Sequence, residues 1–109
     1  MNLYRSIAMG DSVPGKRSAG SMHTTATGIV FESETFKETL SLDKIKIWKG
    51  GASDKLIFFS HPDVETVFYT ENKTILSETV FESNRDISEQ IRKIRKKNRI
   101  QVLWTGGIL

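Results

Sequence analysis

The chain is 109 residues long, 38% hydrophobic and 27% charged, carries a net charge of +3 and contains no cysteine. That length holds one domain with a modest core, and the lack of cysteine excludes disulfides, thiolate metal sites and a cysteine nucleophile. No apolar run approaches the roughly 20 residues a membrane-spanning helix needs, and two histidines leave few groups for acid–base or metal chemistry.

Residues 1–27 read as a flexible N-terminal tail. Gly10, Gly15, Gly20 and Pro14 sit in a Ser/Thr/Ala background with no period of 2 or 3.6. Asp11 is the single acid among several Arg and Lys, a bias shared with organellar presequences, but no amphipathic Arg-rich helix is evident. The apolar run Ile7-Ala8-Met9 is too short for a secretory signal. Gly15-Lys16-Arg17-Ser18 lacks the earlier glycine and the preceding apolar strand of a phosphate loop.

Residues 28–109 read as a single α+β domain. Ile29 to Phe31 opens it as a short strand. In Ser33 to Leu42, Thr35 with Glu38 fits a capping box and Phe36 with Leu40 an i, i+4 pair, so a short helical turn runs into a strand. Lys44 to Lys49 alternates: Ile45 and Ile47 face one side, and Lys44, Lys46 and Trp48 the other. Across the turn Gly50 to Asp54, the run Leu56 to Phe59 returns as a central strand and closes a hairpin. Val64 to Thr70 is rich in β-branched and aromatic residues, and Thr74 to Phe81 follows as its partner after Asn72. Lys44 to Phe81 is thus expected to be a four-stranded antiparallel meander.

Ser83 to Arg99 is the clearest helix. Ile87, Ile91 and Ile94 fall on one face at i, i+4 and i+7, with Ser83 as N-cap and Asn98 as C-terminal cap. The stretch holds seven of the 16 Lys and Arg but two of the 13 acids, giving +5 against −2 for the remainder. Ile100 to Trp104 reads as a last strand. The expected fold is a mainly antiparallel meander with one basic amphipathic helix packed on one face, in two layers.

The helix carries the main functional signal. Arg85, Arg92 and Lys96 form a stripe opposite the isoleucines, flanked by Lys93, Arg95 and Lys97, with Arg99 just beyond. Such a row suits the phosphates of a nucleic acid, with Trp48, Lys44 and Lys46 as a second basic-aromatic grouping. The plain structural explanation is that acids belong at a helix start and cations at its end, the order that Asp86 and Glu89 before Arg92 to Lys97 provides.

Two catalytic patterns are weaker. Pro62-Asp63 with Glu71-Asn72-Lys73 spells a metal-dependent nuclease signature, but an uninterrupted strand would hold the two carboxylates about 26 Å apart. His61, Asp63 and Glu65 form a conceivable metal or acid–base cluster that ordinary turn chemistry also explains.

The sequence therefore points to a small non-enzymatic, cytoplasmic binding or adaptor module, with no cofactor and no metal. It would act through protein–protein contacts or self-association at an edge strand, either Ile29 to Phe31 or Ile100 to Trp104. The alternative is a nucleic-acid-binding protein using residues 85–99. A pleckstrin-like lipid-binding module shares only the sheet-then-helix order, and its strand count exceeds what the sequence suggests before the helix.

Overall fold

A computed structural model describes residues 2–95 of the chain. Seven strands come first: β1 (Tyr4–Met9), β2 (Arg17–Thr24), β3 (Gly28–Glu32), β4 (Lys37–Ser41), β5 (Lys46–Gly50), β6 (Leu56–His61) and β7 (Val64–Thr70). They form one antiparallel sheet in the order β4-β3-β2-β1-β7-β6-β5. Two meanders, β1 to β4 and β5 to β7, are thus joined side by side through β1 and β7. The sheet curls, bringing β4 across to β6. A 3-10 turn (Lys73–Ser77) and a short helix, α1 (Thr79–Glu82), follow. Residues 85–95 are helical and are called α2 here.

The inner face of the curl is the core. Phe31, Phe59 and Phe68 fill it from the strands, and Ile75, Phe81, Ile87 and Ile91 close it from the C-terminal segment. Burying each such side chain contributes about 1.5–3 kcal/mol. Two glycines allow close backbone approach across β2, β3 and β4. A methyl group on Gly20 would run into the Glu32 carbonyl, and one on Gly28 into the Leu40 carbonyl.

Several sequence expectations fail here, each for a physical reason. The first 27 residues are not a tail: β1 and β2 lie in the middle of the sheet. Their inward residues mix two large ones, Tyr4 and Met22, with small or polar ones (Ser6, Ala8, Ser18, Gly20), so no apolar alternation betrays them. Ile29 to Phe31 belongs to β3, an interior strand paired on both sides, so it offers no edge. β6 is interior, as its apolar run suggests, but it alternates between buried and half-buried residues, so one face alone lies on the core. Ser33 to Phe36 is a hairpin turn, with the Ser33 N–H donating to the Phe36 carbonyl at 2.8 Å, and not a helical turn.

Thr74 to Phe81 is not a strand. Asn72 accepts from the Thr74 N–H at 3.0 Å and starts the 3-10 turn, which buries Ile75 and Leu76 side by side. The partners of β7 are β1 and β6. The N-cap of α2 is Asn84, whose Oδ1 accepts from the Ile87 N–H at 3.1 Å. Ser83 instead donates its hydroxyl to the Val80 carbonyl at the end of α1. Helix is therefore a minor part of a mostly β protein. The expected cap at Asn98 and strand at Ile100 to Trp104 lie outside the described residues.

Candidate functional site

The two edges of the sheet are β4 and β5, and the edge of β5 faces α2. The Ile47 N–H donates to Gln90 Oε1 at 2.8 Å, and Gln90 Nε2 donates to the Ile45 carbonyl at 2.9 Å. One side-chain amide thus takes the place of a neighbouring strand. Backbone direction alternates along a strand, so the Ile47 carbonyl and both Lys49 groups point the same way. Among the described residues none of these three has a backbone partner on that side.

Beside this open stretch lies a groove of about 250 Å³, lined by Ile47, Trp48, Lys49, Gln90, Lys93 and Ile94, and by one acid, Asp54. Lys49 lines this groove, and its buried ammonium nitrogen has no hydrogen-bond acceptor among the described residues, an arrangement that favours an acceptor brought by a ligand.

The outer face of the sheet carries a row of aromatic rings. Trp48, Phe58 and Tyr69 are cross-strand neighbours on β5, β6 and β7. Trp48 stacks on Phe58 at 5.4 Å with 7° between planes, and Phe58 meets Tyr69 at 5.5 Å. Trp48 keeps 40% of its surface exposed, and Lys46 shares its face two residues away. Lys44 precedes β5 in a left-handed backbone conformation, with φ of 67°. At the other end of the row Arg17 lies over the Tyr69 ring and donates to its hydroxyl at 2.6 Å.

The helical cations separate into two groups. Arg85, Arg92 and Arg95 border a cleft of about 620 Å³ over Leu76 and Phe81, where Glu82 and Glu89 also stand. Arg95 donates to Ser77 Oγ at 3.2 Å. Lys93 lies on the other side and lines the β5 groove. Lys96, Lys97 and Arg99 lie outside the described residues.

Glu78 ties the start of α1 to the sheet. It accepts from Tyr4 Oη at 2.5 Å, Thr24 Oγ1 at 2.6 Å and Asn2 Nδ2 at 3.0 Å. These donors, led by Thr24, hold its carboxyl below the usual glutamate range. Burial first, and then the Glu78 carboxylate, pushes the Tyr4 phenol up.

The two catalytic patterns dissolve into ordinary structure. Asp63 and Glu71 sit just outside opposite ends of the continuous strand β7; the register shift lies across from it, between Phe59 and His61. His61 is buried. Its Nδ1 accepts from the Asp63 N–H at 3.0 Å, which puts the ring hydrogen on Nε2, facing the Asp43 carbonyl at 2.6 Å. Both ring nitrogens are thereby used in holding turns. No cluster of three His, Asp or Glu suited to a metal occurs among the described residues.

Sequence reasoning misses Gln90, whose role depends on α2 meeting the β5 edge. It also misses Arg5 and Arg17, which the tail assignment hides. Phe58 and Tyr69 lie in runs that do not alternate in sequence, and the sheet register alone turns them outward. No family model, characterised protein or solved structure matches the chain. No helix among the described residues is long and apolar enough to cross a membrane.

Proposed function

We propose that the protein is a small non-enzymatic binding module that takes an extended protein segment along the open edge of β5, from a partner or from a second copy of itself. The observation that carries this is the half-capped edge. Gln90 satisfies the Ile45 carbonyl and the Ile47 N–H, and the Ile47 carbonyl and both Lys49 backbone groups then have no partner among the described residues, beside a groove. An added strand would pair with the Ile47 carbonyl and with Lys49, and every second side chain would enter the groove. The groove offers Ile47 and Ile94 as apolar contacts and Lys49 and Lys93 as cations. Its chemistry favours a segment with an apolar residue followed by an acidic one.

Selection of a displayed random-peptide library on the protein tests the proposal. Lys49→Pro removes the outward N–H but suits an edge strand. Peptides enriched on the wild type should share an apolar–acidic pattern and lose binding to Lys49→Pro. Enriched peptides that bind both proteins equally would refute it.

Seven antiparallel strands before a helix remove the strand-count objection to the pleckstrin-like alternative. That alternative still rests on topology alone, and topology does not fix function.

A further inference from the structure

We propose that the outer face of the sheet is a second binding surface, specific for single-stranded nucleic acid. Bases would stack at the exposed Trp48 end of the Trp48–Phe58–Tyr69 row, and phosphates would lie on Arg17, Arg5 and Lys46. This surface is separate from the open backbone of the β5 edge, although Trp48 borders both.

The sheet register creates the surface. Trp48, Phe58, Tyr69, Ile7 and Ala19 are successive cross-strand partners from β5 to β2 and all face outward. An antiparallel sheet with one face on the core ordinarily turns polar residues to water on the other. Here a continuous apolar and aromatic band lies outside instead, which marks an interaction surface. Tyr69, Phe58 and Ile7 are half-buried, and Trp48 is exposed at the end of the band.

Cations flank the band. Lys46 stands beside Trp48, and Arg17 lies over Tyr69. Arg5, Arg17, Ile7, Tyr69 and Asn72 line a cavity of about 380 Å³ at the Tyr69 end, within the range that holds small ligands. Glu71 is the acid at that cavity. Neither arginine is in an ion pair with another described residue; Arg17 donates one N–H to the Tyr69 hydroxyl and keeps its other donors for phosphate oxygens, beside Arg5.

Rings with cations at their margins fit unstacked bases joined by phosphates. A duplex hides its base faces, and this surface projects no helix into a groove, so single strands are the substrate class. The arrangement also moves the expected nucleic-acid contact from the α2 cations to the sheet, because Glu82 and Glu89 stand among the α2 arginines.

The test is fluorescence anisotropy of labelled 12-nucleotide dT and rU strands against the full chain, with a duplex of equal length and a poly-glutamate peptide as competitors. Single strands should bind, and more tightly than the duplex. The log–log salt slope should be near −2, about 0.7 for each of three phosphate contacts. Trp48→Leu and Arg17→Ser should each weaken binding roughly ten- to a hundredfold with unchanged circular dichroism. Arg5→Ser, at the far end from β5, gives a second variant with no role in the edge, and should lower the slope by about 0.7. Lys49→Pro and Arg85→Ser/Arg92→Ser should leave the affinity within about twofold, the scale of a minor contact. The proposal is overturned by no binding at 50 mM salt, by preference for the duplex, by loss of binding only in the Arg85/Arg92 variant, or by poly-glutamate binding in place of the strands. Because Lys49→Pro separates the two surfaces, either can fail without the other.

Discussion

Glu78 shows how much one side chain organises. Its carboxylate gathers donors from the N-terminal strand pair and fixes where α1 begins. Its depressed pKa means the folded state binds this proton less readily than the unfolded chain, whose value is near 4.5. The resulting stability is fully present above about pH 5 and is lost as pH falls through the lower folded value. Tyr4 acts at the other end of the scale. Its raised pKa makes stability fall as pH climbs above 10 toward the folded value. Urea midpoints measured across pH should therefore show a plateau with an acid limb, and Glu78→Gln should flatten that limb. Glu78→Ala should cost about 2 kcal/mol at pH 7, because it removes a charged acceptor and leaves the Tyr4 and Thr24 hydroxyls without one. None of this is legible in the sequence. Tyr4 and Glu78 lie 74 positions apart, and only the docking of the C-terminal segment on β1 and β2 brings them together.

Among the elements, β5 and α2 define the candidate site. Sequence periodicity identifies both: the alternation of Lys44 to Lys49 gives the strand, and Ile87, Ile91 and Ile94 give the helix face. Ile87 and Ile91 are buried and Ile94 packs against the core. The pairing of the two elements is not legible, because it depends on the direction in which the helix crosses the sheet edge. Gln90 records that pairing with two hydrogen bonds to β5 backbone. Gln90→Ala should cost about 1–2 kcal/mol, each net hydrogen bond contributing around 1 kcal/mol. It should also speed amide exchange at Ile47 while leaving β1 unaffected, which hydrogen exchange by NMR would read directly. Thr74 to Phe81 shows the opposite failure. Its β-branched and aromatic residues suit a strand, but Asn72 starts a turn and β7 already has two partners.

At the scale of the molecule, the curl of the sheet decides what is inside and what is outside. It lets large residues from β3, β6 and β7 fill most of the interior, so the central strands β1 and β2 add only Tyr4 and Met22 among inward residues that are otherwise small or polar. That is why the most central part of the fold reads as a tail in sequence. Gly28→Ala should destabilise by about 1–3 kcal/mol in a denaturation experiment, the range for forcing atoms into a closed space. The curl also leaves β5 as an edge against α2, and on that edge the proposed function rests. Hydrogen exchange at the Lys49 amide tests it most directly, in the free protein and with a peptide selected on it. The Lys49 N–H should exchange quickly in the free protein, in contrast to Trp48, which pairs with Phe58, and should become protected when the peptide is added. A Lys49 amide already protected in the free chain, or unchanged by a bound peptide, would contradict strand addition at β5.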